Sequence, residues 1–475
     1  MHLCSGVLKS MPNKMTSHPF FVIVATGLFL VADLMSIEVL RAHDEEHADE
    51  VKVGDQNAMV PTPEGNAYGV QLVAGGAVIA RKGPKTMFPT VIRVPDWLTA
   101  EQRAHPKANY YLYFSEHHGD HLFMSWAESL SGPWVEFNLG GRFNGFTRRG
   151  VFDVRADPTR ESFGHLAAPD VHVDDQNHQF IMFFHAKNQP ETVSPSGTVV
   201  PQLHKNFVAT SANGLNFFDP KTAGGQSGHG PKTVTVDGIT RDLWIADPYQ
   251  RAFQHHNRWY SVSRRGMIDT PRGDTGPWET NPDDPMARSW VAESTPSPLW
   301  TDDASKVQPV YFSPGATFLA SSEFENHPNN PNPGVRITSD GERMNHLSVF
   351  KLPGDQLEVF FYVKQDPKDR FDSIYRLVYD IHDSDCEKWD LVRDSSGQVL
   401  FEVVVTPKQI TDTVKGAQAD FKPLVHADPI SLGSSYVFMD DDGSKYLFYA
   451  YVSEQYSGQE GEGHISALKL LPKRR

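Results

Sequence analysis

Residues 166–186 read Leu166-Ala167-Ala168-Pro169-Asp170-Val171-His172-Val173-Asp174-Asp175-Gln176-Asn177-His178-Gln179-Phe180-Ile181-Met182-Phe183-Phe184-His185-Ala186. The polar Asp175-Gln176-Asn177-His178 is turn chemistry, and the aromatic and aliphatic run after it is strand chemistry, so the stretch predicts a β-hairpin. The pattern recurs along the chain in Tyr110-Tyr111-Leu112-Tyr113-Phe114, Trp259-Tyr260-Ser261-Val262, Leu357-Glu358-Val359-Phe360-Phe361-Tyr362 and Tyr446-Leu447-Phe448-Tyr449-Ala450. Turn signals precede most of these runs, as in Gln254-His255-His256-Asn257, Pro353-Gly354-Asp355 and Asp441-Asp442-Gly443. A second strand tends to follow, as from His121 to Glu128, Asn206 to Ser211, Ser373 to Asp380 and His464 to Leu470. A β repeat with a period of roughly 70 to 100 residues is the signature of small antiparallel sheets set around a channel. Gly132-Pro133-Trp134 and Gly276-Pro277-Trp278 fall in separate repeats, which fits internal duplication. The expected fold is therefore all-β, a five-bladed β-propeller, with a pair of two-sheet sandwiches as the alternative. No long amphipathic helix competes with it.

Composition narrows the function. With 39% hydrophobic, 22% charged and 11% aromatic residues in 475, the chain can bury a large core and build aromatic-rich sheets. A net charge of −15 argues against nucleic acid and anionic membrane surfaces, whose affinity comes from Lys and Arg on phosphates. Lys9 and Lys14 precede an apolar run from Phe20 to Ala32, too short for a comfortable span and suited to a signal peptide. The expected organisation is a signal peptide over 1–42, an acidic leader and connecting segment over 43–84, and a propeller over 85–475. Removal of Cys4 with the signal peptide leaves only Cys386, which excludes an internal disulfide. A periplasmic or secreted location follows, with no stable membrane span after processing.

His165-Leu166-Ala167-Ala168-Pro169-Asp170 ahead of Met182-Phe183-Phe184-His185 resembles the alanine-proline-aspartate blade entry of the five-bladed glycoside hydrolases of family 43 and their relatives. Tyr111-Leu112-Tyr113-Phe114-Ser115-Glu116-His117-His118-Gly119 with Trp126-Ala127-Glu128 is similar to their first blade. Ala427-Asp428-Pro429 through Tyr449-Ala450 is similar to their fifth. The resemblance spans about residue 85 onward. It implies an inverting hydrolysis of glycosidic bonds in a poly- or oligosaccharide, with a carboxylate pair assisted by a third carboxylate. Asp170 matches the aspartate that tunes and orients the acid. Asp247 and Asp428, each beside a proline at a blade entry, are further candidates.

The chain departs from the pattern at the first blade, where Met87-Phe88-Pro89-Thr90 offers no carboxylate for the usual base. The usual glutamate acid has no clean match either. Glu454 in Val452-Ser453-Glu454 and His346 in Met344-Asn345-His346-Leu347 are candidate replacements, since a histidine serves as acid in the agar-sugar relatives. His117, His118, Arg251 and Trp244 are candidate sugar contacts. Asp174-Asp175 and Asp440 to Asp442 read as solvated turns. No metal ligand set is evident, although the resemblance allows a structural calcium ion at the axis. A non-catalytic carbohydrate-binding propeller that has lost its base is the second reading. Phosphate-cradling loops, nucleophile elbows and His-Glu-x-x-His motifs are absent from the sequence.

Overall fold

The structure is a computed structural model describing residues 58–73, 79–80, 86–116, 119–140, 142–143, 146–147, 149–153, 166–187, 192–193, 199–200, 204–217, 233–236, 239–242, 251–256, 258–263, 290–294, 312–317, 327–329, 344–363, 373–383, 388–416, 429–453 and 463–473. Antiparallel sheets follow one another along it. The first runs from Thr86–Arg93 through Tyr110–Glu116 to His121–Ala127, with the short Val135–Phe137 and Phe152–Asp153 beyond. The second comprises Leu166–Asp174, Gln179–Lys187 and His204–Ser211. The third comprises Arg251–His255, Arg258–Ser263, Trp290–Ser294 and Phe312–Thr317. In the fourth, Met344–Leu352, Gln356–Val363 and Ile374–Asp380 lie side by side, and Asp390–Leu391 and Phe401–Val405 both pair with the last of these. The last sheet orders Pro429–Met439, Lys445–Ser453, Gly463–Pro472, Tyr68–Leu72 and Met59–Val60.

The continuous aromatic runs have a physical reason in this arrangement. Successive residues of a strand point to opposite faces, so a strand buried on both faces is apolar throughout. Tyr111 and Tyr113 join Val171, Phe180 and Phe184 between the first two sheets, whereas Leu112 and Phe114 join Phe448 and Ile465 of the last sheet. Phe361 likewise packs towards Phe253 and Tyr260 of the third sheet, and its neighbour Phe360 towards Leu432 and Tyr449. Sheets buried face against face around a shared centre make an all-β propeller.

Four of the sheets have four or more strands, and these are the complete blades among the described residues: four, not the expected five. The second sheet has three, with no further strand beyond His204–Ser211 among the described residues. Phe88, Asp170 and His346 fall within first strands, as expected of blade entries. Asp247 and Asp428 lie outside the described residues; the third sheet is described from Arg251 and the last from Pro429.

The propeller begins earlier than residue 85. Tyr68–Leu72, placed by sequence in the connecting segment, pairs with Gly463–Pro472 in the last sheet, Tyr68 opposite Pro472. A buried ion network anchors it there. Glu358, fully buried, accepts hydrogen bonds from Tyr68 Oη at 2.7 Å, Arg376 Nε at 2.8 Å and Lys445 Nζ at 2.6 Å. Arg376 also pairs with Glu402 at 3.1 Å, and Glu402 accepts from the Ala67 backbone N–H at 3.0 Å. Burial lowers the pKa of Lys445, and the Glu358 charge opposes that shift.

One helix, Pro407–Gly416, was not anticipated. Its signal is Thr406-Pro407-Lys408-Gln409, a capping box in which Gln409 N donates to Thr406 Oγ1 and Thr406 N donates to Gln409 Oε1, with proline at the first helical position. Asp440 also corrects the sequence reading. It is not a solvated turn residue, because Arg93 binds it at 2.7 Å and Tyr110 Oη donates to it at 2.7 Å.

Candidate functional site at the ring centre

The first strands share a local irregularity. Register shifts fall between Met87 and Thr90, Ala167 and Asp170, Asn345 and Ser348, and Gly433 and Tyr436. Phe88, Ala168 and Ser434 take positive φ angles of 61°, 53° and 47° inside three of these bulges. A bulge re-aims the side chain that follows it. The result is that Thr90, Asp170, Ser348 and Tyr436 occupy corresponding positions in four sheets.

Arg251, the first described residue of the third sheet, ties the centre together. Its Nε donates to Leu347 O at 3.1 Å, Nη1 to Thr90 Oγ1 at 3.0 Å and Pro169 O at 2.9 Å, and Nη2 to Pro89 O at 3.3 Å. Its guanidinium lies 5.5 Å from the Tyr436 ring centroid. One side chain thus reaches the first strands of the other four sheets described above. Its exposure is 3%.

Asp170 sits beside it at 1% exposure. Its Oδ2 accepts from the Ala252 N–H at 2.7 Å and from His172 Nε2 at 3.0 Å, while Oδ1 lies 3.5 Å from Arg251 Nη1. Burial alone would raise its pKa; the charge and hydrogen bond of His172, the Arg251 guanidinium and the Ala252 N–H outweigh that and hold the carboxyl below its usual range. The Tyr436 hydroxyl is pushed well above its ordinary value by burial and then by the Asp170 charge. The arrangement can keep a carboxylate ionised in a dry setting.

Phe88 is fully buried and lies edge-on to His185 with centroids 6.4 Å apart. His117, His118, Trp244, Asp247, Asp428 and Glu454 lie outside the described residues, as does the side chain of His346, whose backbone belongs to Met344–Leu352. The structure therefore brings Asp170 and Arg251 together. Sequence reading missed Thr90 and Tyr436, and it did not pair His172 with Asp170. The signal for His172 was its spacing of two from Asp170, which puts both on one face of a strand. An axial calcium ion does not fit these residues, because the carbonyls of Pro89, Pro169 and Leu347 are committed to a cation already, the Arg251 guanidinium.

No family model matches the chain. An uncharacterized protein of Acanthamoeba polyphaga mimivirus is 29% identical over 191 residues, covering 38% of this chain and 42% of that protein, so the match spans less than half of that relative's length. Among solved structures, a Cellvibrio cellulosa α-L-arabinanase complexed with arabinohexaose aligns at TM-score 0.41 and 12% identity, over 82% of this chain and 92% of that one. A thermostable family-43 glycoside hydrolase aligns at 0.41 and 14%, over 84% and 96%. A protein of unknown function from Dyadobacter fermentans aligns at 0.39 and 9%, over 84% and 98%. Among the described residues no helix is long and apolar enough to cross a membrane.

Proposed function

We propose that this chain is an exported glycoside hydrolase acting on a poly- or oligosaccharide, built on five blades with the three-stranded sheet as the second. The observation that carries it is Asp170. The Ala168-Pro169-Asp170 entry holds an ionised carboxylate, buried at the centre of the ring, against His172 and Arg251. In the resembling hydrolases that carboxylate tunes the acid rather than reacting itself, and burial with complete hydrogen bonding suits that part. His346, Glu454, Asp247 and Asp428 remain the proposed sources of acid and base, and His117, His118 and Trp244 the proposed sugar contacts. Arg251 acts by fixing Asp170.

The buried Phe88 favours a second reading, a sugar-binding propeller without a base. Incubation with aryl-glycosides and oligosaccharides from plant and marine polysaccharides, with the anomeric product followed by NMR, separates the two. Cleavage with inversion is expected, and Asp170→Asn should lower turnover by roughly two to four powers of ten when assayed below its melting point. Sugar binding without cleavage would transfer the conclusion to the second reading, and neither binding nor cleavage would overturn both. Mass spectrometry of the exported protein should find a new N-terminus between Ser36 and Asp49.

A further inference from the structure

The turns after the first strands form one rim of the molecule, and neighbouring sheets are clasped there side chain to side chain. Between the first and second sheets Trp97 Nε1 donates to Asp175 at 3.0 Å and its ring stacks on His178. Between the last and first, Arg93 binds Asp440 at 2.7 Å and Asp441 at 2.8 Å. The junction of the third and fourth sheets is built differently. His255 and His256, from one turn, face Asp355 from the other, with His255 Nδ1 3.9 Å and His256 Nε2 3.8 Å from Asp355 Oδ1. All three donor atoms lie within 4.8 Å of one another.

Those spacings are too long for hydrogen bonds. They are close to what three ligands of one ion require, since donors at about 2.0–2.2 Å from a tetrahedral zinc stand about 3.3 Å apart. His255 adds an independent indication. It is buried at 2% exposure, and its Nε2–H donates to the Ile381 carbonyl at 2.7 Å. That bond fixes the tautomer, so Nδ1 carries the lone pair, and this buried atom has no hydrogen-bond partner among the described residues. A ligand imidazole whose other nitrogen donates to a backbone carbonyl is how metal sites orient histidine. The positive φ angles of His256 and Asp355, 47° and 56°, turn both residues at the tips of their hairpins.

We propose that His255, His256 and Asp355 bind one divalent transition-metal ion of the zinc type, clasping the third and fourth sheets at the rim. Two imidazole nitrogens and a carboxylate oxygen are borderline donors that suit zinc better than calcium or magnesium. The fourth position is left to water. Lys351 Nζ, 3.8 Å from Asp355 Oδ1, competes with the ion for that carboxylate. The site is separate from the ring centre, because His255 lies four residues along the strand from Arg251, roughly 13 Å at the rise of an extended strand.

The test is metal content and affinity of the full chain, read by elemental analysis after dialysis against zinc and by the absorption spectrum of the cobalt form. One ion per chain is expected, with a tetrahedral-type cobalt spectrum and a melting temperature raised by zinc. His256→Ala and Asp355→Ala should each weaken binding at least tenfold. Both lie at turns, and circular dichroism confirms that each variant is folded. Lys351→Gln should bind as tightly as the wild type or more so. Absence of stoichiometric binding would overturn the proposal, as would binding that survives unchanged in the double variant, which places the ion on other histidines.

Discussion

Arg251 and Asp170 form a buried pair, and the cost of such a pair depends on how it is broken. Removing one partner leaves a desolvated charge, a loss of about 3–5 kcal/mol. Arg251→Met should therefore destabilise strongly, because it takes the guanidinium from the carbonyls of Pro89 and Leu347 and removes the cation beside Asp170, which keeps only its bonds from His172 and the Ala252 N–H; urea denaturation measures it. The pH dependence of Asp170 follows from the direction of its shift. Its folded pKa lies below the unfolded value of about 3.9, so its stabilisation is fully present above about pH 4 and is lost as pH falls towards the folded value. Acid titration should show the wild type losing stability through that window and Asp170→Asn, already weaker at neutral pH, losing less. A parallel pair of curves would mean that Asp170 is not held ionised by its partners.

At the scale of the strand, the ion network around Glu358 decides whether Tyr68–Leu72 stays in its sheet. Glu358→Gln should cost about 3–5 kcal/mol by leaving Lys445 buried without its counter-charge and Arg376 with Glu402 alone. Tyr68→Phe should cost less, about 1.5–3 kcal/mol, since it removes a hydroxyl that donates to Glu358 and accepts from Lys445. Limited proteolysis should then cut within residues 58–73 of the Glu358→Gln protein before it cuts elsewhere. How much was legible differs by element. Runs such as Tyr110–Phe114 and Phe180–Phe184 announced their strands, because burial on both faces demands apolar residues at every position. Tyr68–Leu72 was hidden, since its five residues, Tyr68-Gly69-Val70-Gln71-Leu72, are anchored by partners far away in sequence. No window of local sequence contains that reason.

For the molecule as a whole, the all-β propeller was readable from the repeat, whereas the strand content of each blade was not, because outer strands are short and carry little pattern. The candidate site was half readable. Ala168-Pro169-Asp170 pointed to the centre, but nothing local to Arg251 disclosed that four other sheets would converge on its guanidinium. The pairing of Tyr68 with Pro472 has one more implication. The last sheet is completed by strands from opposite ends of the described chain, so the ring cannot close until residues 463–473 have been made. Folding of this kind has a high contact order and is slow. The same geometry makes the connectivity interchangeable: a circular permutant joining the two strands by a short Gly-Ser linker and opened at the exposed Gly354 turn should reach the same native fold, by circular dichroism and melting, and should refold at a different rate.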